Sequence, residues 1–256
     1  MELLSGPFAK ALCHIVGGWT EEDRKGIRIM TRLAPCFEEE LMDCWKTCFR
    51  TTTKQKSFKE ALADYYNCRI KGHTNKLKCM LTGLQLPYDF LAAAHIWKKA
   101  KGGSGMFELF RLKPSDADDP RNGLLLARRI EEAFDRKDVC FLYSPPKQQL
   151  TLYVVNMDGN TATRRNPLRT TTVAQVKGWK SDQKKLAPTF EDLHGRPLLL
   201  PDGILIPFRR ILSLHAKFAF QYGKNNGFIS QEEFEQFETY SRVSDDAILR
   251  EASSNL

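Results

Sequence analysis

The sequence predicts an α+β fold in which a strand-and-helix core is flanked by an N-terminal helical region and a C-terminal region of strands and helices. Three observations carry this reading. Apolar residues recur at helical spacing up to about residue 72. From Lys76 the texture changes to short β-like runs. Strand-like and helix-like segments then succeed one another to the end of the chain. The organisation that follows is 1–72 helical, 73–150 core, and 151–256 hairpins, a basic stretch and helices.

Each element has a local reason. In FEEELMDCWKTCF, residues Phe37, Leu41, Cys44, Trp45, Cys48 and Phe49 form one apolar stripe. The preceding helix is expected to start at Thr20, with Asp23 three residues on. The following one is expected to start at Ser57, with Glu60 in the capping-box position. KCMLTG and DFLAAAHI read as the two arms of a hairpin. After a Gly- and Asp-rich loop from Gly102 to Pro120, NGLLLARRIEEAFDRKD reads as a helix with Leu126, Ile130, Ala133 and Phe134 on its docking face. VCFLYS and LTLYVVN read as strands, with Asp158-Gly159 as a turn signal, and LLLPDGILI reads as a second hairpin. PFRRILSLHAKFAFQYG is expected to be a helix stopped by Gly223, with His215 on its apolar face as a core residue. A last helix starts at Ser230 with Glu233 as its box partner.

Composition excludes some classes. A chain of 256 residues with 42% hydrophobic and 27% charged residues is a soluble globular type, and no apolar run approaches the ~20 residues that cross a bilayer. The start, MELLSGPFAKALCHIVGGW, lacks a basic leading segment and reads as an amphipathic helix rather than a secretory signal. Seven cysteines in apolar contexts point to reduced thiols and an intracellular setting, cytoplasm or nucleus. Cys44 and Cys48 lack a second pair at zinc-ligand spacing. The formal net charge of +8 favours polyanionic partners. Between Arg164 and Lys185, seven cations (Arg164, Arg165, Arg169, Lys177, Lys180, Lys184, Lys185) face the single carboxylate Asp182, with Trp179 among them. Such a run is a solvated loop or a phosphate-holding surface on which the indole stacks a base, with Arg164, Arg165, Lys177 and Lys180 as candidate contacts.

The ordered set CMLTG, AAAHI, DPRNGLLL and IEEAFDRKDVCF resembles the HNH nuclease family, in the branch with an AAHI strand, an NGLLL turn and an FD-containing helix. The resemblance spans about residues 76 to 145 and continues weakly into LLLPDGILIPFRRILSLHAKFAF. It implies a ββα-metal core that clamps one divalent ion against a scissile phosphate. It implies His95 as the general base on the attacking water and Asn122 as the residue that orients it and ties the loop to the hairpin. It sets Glu131 at the family's last histidine and Asp135 at the later helix position, as the metal-binding pair. Two carboxylates four apart share a helical face, and an all-oxygen pair suits Mg²⁺ or Mn²⁺. The competing explanation is that Arg128, Arg129 and Arg136 neutralise them as ordinary surface pairs. Lys98, Lys99 and Lys101 just after the base, together with Arg128, are candidate contacts to the nucleic-acid backbone, and the same lysines also read as solvated loop charges.

The implied activity is a metal-dependent endonuclease that hydrolyses phosphodiesters, in DNA more than RNA. One centre cuts one strand, so a double-strand break requires a homodimer or two visits. Three positions depart from the family pattern: Ala94 before the base, Lys98 where a proline often follows, and Glu131 for the third signature histidine. The last favours an alternative, a catalytically inactive HNH-derived module that binds nucleic acid. A third reading is a protein-interaction domain whose basic surface is incidental. YGKNNGFISQEEF mimics the back half of a calcium loop, but Tyr222 and Lys224 occupy its first and third ligand positions. A Gly-Asn turn before a capped helix explains the same letters.

Overall fold

The structure, a computed structural model, describes residues 52–97, 114–159, 166–174 and 187–240. The helices expected at 37–49 and from Thr20 lie outside these residues. The described chain opens with α1 (Thr52–Tyr65), whose buried side carries Phe58, Leu62, Ala63 and, one residue past its end, Tyr66. Ser57 sits inside this helix, so its spacing to Glu60 does not mark a helix start.

Three short strands follow as one antiparallel sheet: β1 (Arg69–Ile70), β2 (His73–Lys78) and β3 (Gln85–Pro87). β2 and β3 pair from Lys78↔Gln85 to Lys76↔Pro87, across a turn where Gly83 has φ +71°. Only Lys78 of KCMLTG is therefore in a strand.

The central pair is β4 (Leu91–His95) with β5 (Gly123–Ala127), in antiparallel register from Leu91↔Ala127 to His95↔Gly123. This corrects the expected hairpin. LAAAH is its first arm, and GLLLA, expected as the start of a helix, is its second. Every residue of β5 is buried. A short all-apolar run has no period to separate strand from helix, and burial on both faces decides it here. Cys79 and Met80 cover the outer edge of β5 rather than forming an arm. Ala127 N–H donates to Cys79 Sγ at 3.3 Å, Leu125 N–H donates to Met80 Sδ at 3.1 Å, and Met80 N–H donates to the Leu125 carbonyl at 2.9 Å.

α2 (Arg128–Asp135) follows β5 directly and completes the strand, strand, helix order, with Ile130, Ala133 and Phe134 in the core. β6 (Val139–Ser144) and β7 (Gln149–Val154) pair as expected, from Val139↔Val154 to Ser144↔Gln149. After the short α3 (Phe190–Leu193), residues 198–206 form no strand, so the second expected hairpin is absent. Their backbone bonds elsewhere: Leu198 N–H to Leu150 O and Leu199 N–H to Met80 O, both at 2.7 Å.

α4 (Arg209–Asn225) buries Ile211, Leu212, His215, Phe218 and Ala219, and it runs through Gly223. That glycine serves packing rather than termination, because a Cβ there would stand 2.4 Å from Val155 Cγ1. The left-handed residue past the helix end is Gly227, at φ +67°. His215 is buried, donates from Nε2 to the Phe134 carbonyl at 3.0 Å, and stacks on the Phe134 ring, as its apolar face predicts. The last helix, α5 (231–240), carries its capping box intact: Ser230 N–H donates to Glu233 Oε2 at 2.7 Å, and Glu233 N–H donates to Ser230 Oγ at 3.1 Å. The Glu233 carboxylate is thus occupied by a helix start, which explains the letters that mimic a calcium loop. None of the described helices is long and apolar enough to cross a membrane.

Gly123 has φ −147°, an extended backbone open to any residue, so its lack of a side chain is a matter of room. A Cβ there would lie 2.5 and 2.8 Å from the Phe58 ring and 2.9 Å from Leu62. Gly123→Ala is expected to force α1 off the central pair and cost about 1–3 kcal/mol, the range for overpacking a filled core. The check is a lower urea midpoint at an unchanged denaturant slope.

Candidate active site

The local sequence aims His95 at one end of the central pair. LAAAH is small and apolar, so β4 can lie in the core with side chains too short to push its neighbours away, and the histidine comes last in the strand. His95 is half-buried. Its ring lies face to face with Phe58 of α1, with centroids 3.9 Å apart and planes 12° from parallel.

The ladder does not fray past His95, because Asn122 extends it. Ile96 N–H donates to the Asn122 carbonyl at 2.9 Å. Trp97 N–H donates to Asn122 Oδ1 at 2.9 Å, and Asn122 Nδ2 donates back to the Trp97 carbonyl at 2.9 Å. Nδ2 also donates to the Ala117 carbonyl at 3.0 Å, so the amide holds both the exit from β4 and the entry to β5. Asn122 is 0% exposed. At that depth these bonds are obligatory, since each buried group left unpaired costs about 1–3 kcal/mol.

The turn that delivers Asn122 is also specified locally. Asp119 Oδ1 accepts from Arg121 N–H at 2.7 Å, and Pro120 occupies the first position of the 3₁₀ turn Pro120–Asn122. Tyr66 Oη donates to the Pro120 carbonyl at 3.2 Å. On its other side Arg121 lies over the Phe208 ring, 4.6 Å from the centroid. Its carbonyl accepts from Phe208 N–H at 2.9 Å, so the approach to α4 is tied to the same corner.

At the opposite end of the pair lies Lys59, 8% exposed. Its Nζ donates to the Leu91 carbonyl at 2.8 Å and to the Tyr88 carbonyl, and sits 3.7 Å from the centroid of the Tyr88 ring. Burial depresses its pKa to about 8, against the opposing pull of Asp89. Phe58 and Lys59 together fasten α1 to both ends of β4. Neither residue belongs to a motif; the four-residue spacing of Phe58 to Leu62 marks Phe58 as inward but says nothing about what it meets.

Glu131 and Asp135 both fall on α2, one turn apart. Glu131 is 7% exposed, on the side of the helix that also buries Ile130 and Phe134, and Asp135 is half-buried. A carboxylate at that depth is stable only when protonated or matched by a cation or donors. Two of the arginines expected to neutralise the pair make contacts elsewhere. Arg128 donates to the Asp89 carbonyl at 3.0 Å, and Arg136 Nε donates to Asp138 Oδ2 at 2.8 Å. As donors the two acids suit a hard divalent ion. Among the described residues, no group of three or more His, Cys, Asp and Glu side chains is placed to hold a metal, so His95, Glu131 and Asp135 are not gathered as one ligand set.

Of the candidate backbone-binding residues, Arg128 is half-buried at the Leu91 end of the pair, away from His95. Lys98, Lys99, Lys101, Arg164, Arg165, Lys177 and Lys180 lie outside the described residues. From the same basic run, Arg169 bridges Asp158 and Glu191, at 2.6 Å each.

Residues 79–142 match the family model for HNH endonucleases, a quarter of the chain that holds β4, β5, α2 and the 3₁₀ turn between them. The resemblance read from the motifs and the α+β architecture are thereby borne out for this stretch. The match points to a nuclease-type function for it, with nucleic acid as the implied substrate. No curated protein and no solved structure matches the chain significantly.

Two measurements check the geometry. Asn122→Ala strands three buried backbone groups and is expected to cost on the order of 2–4 kcal/mol in denaturant unfolding. Lys59 gives a pH signature. The unfolded chain keeps this proton up to its ordinary value of 10.5, the folded chain releases it near 8, and between these limits the unfolded state binds more protons. Stability conferred through Lys59 therefore rises with pH from about 8 to about 10.5. The wild-type minus Lys59→Met difference in unfolding free energy should climb through this window and stay flat below it.

Proposed function

We propose that the protein is a metal-dependent endonuclease that hydrolyses phosphodiester bonds in DNA, with His95 as general base. The observation that carries this is the HNH match over a ββα unit in which the strand-terminal His95 and the buried Asn122 meet at one end of the pair. An imidazole is suited to the role because its ordinary pKa of about 6.5 leaves it neutral and proton-accepting at cellular pH. In this reading a water beside the scissile phosphate gives its proton to His95. Asn122 acts at one remove: its bonds to Trp97 fix the backbone on which the histidine is the last strand residue.

Glu131 and Asp135 are the residues proposed to hold the divalent ion, Mg²⁺ or Mn²⁺. Such ions are commonly bound by one or two carboxylates, with water and substrate oxygens filling the remaining positions. The bound ion would serve as a Lewis acid toward the charge that develops on the phosphate. Lys98, Lys99, Lys101, Arg128, Arg164, Arg165, Lys177 and Lys180 are proposed as contacts to the nucleic-acid backbone, with DNA preferred over RNA and homodimerisation as the route to a double-strand break. Cys68, Cys79 and Cys140 are free and buried, which supports a reducing intracellular compartment.

A second reading, an inactive module that binds nucleic acid, is favoured by one feature: Glu131 stands where the signature has a histidine. Plasmid nicking separates the two. The nuclease reading expects nicking in Mg²⁺ or Mn²⁺ that chelation abolishes, that His95→Ala lowers by about 10²–10⁴-fold, and that Glu131→Gln with Asp135→Asn weakens in proportion to metal affinity. Wild-type protein that binds DNA with a steep salt dependence yet nicks in neither metal would establish the second reading instead.

A further inference from the structure

We propose that Phe58 is a positioning residue for His95: its phenyl ring holds the imidazole plane in the orientation needed at the end of β4. The proposal rests on the nuclease reading for its purpose and on the geometry for its substance. The two rings lie 3.9 Å apart at 12°, so one face of the imidazole is covered by the phenyl. Swinging the imidazole about its terminal torsion would drive its edge into the phenyl face. The phenyl cannot retreat, because Phe58 is 4% exposed and its tip is wedged over Gly123, the residue directly across the ladder from His95. Helix, strand and histidine therefore fix one another before any substrate arrives, which is the preorganisation that a base on a rigid element requires. Phe58 lies upstream of the matched stretch 79–142, so the working unit reaches back into α1.

The test uses the full chain with labelled histidine, the His95 resonances being identified by their loss in His95→Gln. A stacked imidazole has its ring C–H protons shifted upfield of those of the exposed His73. Phe58→Leu, and Phe58→Met as a second variant of similar volume, are expected to return those resonances to the exposed range. Both should keep cooperative unfolding and lower kcat for nicking by about 10- to 100-fold, with KM changed less than about twofold. His95 resonances that stay put in both variants overturn the proposal, as does an unchanged kcat once the resonances have moved. Wild-type protein that never nicks overturns the nuclease reading, while the resonance shifts still decide whether Phe58 sets the ring.

Discussion

The antiparallel ladder between Leu91–His95 and Gly123–Ala127 is the constraint on which the rest depends. It joins two segments far apart in the chain, so closing it costs loop entropy that local contacts do not return. Burial of GLLLA on all sides supplies the driving force. Asn122 supplies the stop: its amide imitates one more rung, turning Trp97 inward and holding the 3₁₀ corner in place. α1 covers this ladder, α2 grows out of its second strand, and β6 follows at once. The last residue of such a ladder is held by backbone bonds rather than by its own reach.

The parts legible from sequence were those whose signal is periodic or local. β7 alternates and lies a short connection from β6, the Ser230–Glu233 box is self-contained, and the apolar face of α4 repeats at helical spacing. The misread parts share a different cause. GLLLA has no period, so its strand identity came from partners on either side rather than from its letters. Gly223 resembles a helix stop but is needed small by Val155, a residue nearly seventy positions away. The line LLLPDGILI carries a turn signal in Asp202-Gly203, yet its upstream arm finds better partners in Leu150 and Met80 than in its own downstream arm. Turn chemistry says where a chain can reverse, not what it pairs with afterwards.

The site divides in the same way. His95 and Asn122 were named by a local motif, and the structure sets the two proposed residues at one corner. Phe58 and Lys59 were not, since an aromatic and a lysine on an amphipathic helix are ordinary until the helix is seen pressed along β4. The acids of α2 fall between these cases: spacing places them on one face, but only the fold shows that Glu131 lies toward the core, where a negative charge needs company.

The sulfur-lined margin of β5 has a separate consequence. A buried strand with one free side is a template for recruiting another chain, and proteins ordinarily block it with a further strand, charge or proline. Here a thiol and a thioether take the backbone donors of Ala127 and Leu125. Large, soft acceptors tolerate long bonds and imperfect angles, so the margin is sealed without demanding strand geometry from residues 79–83, which are free to turn back instead. The seal closes this side of the ladder to docking peptides and to self-assembly.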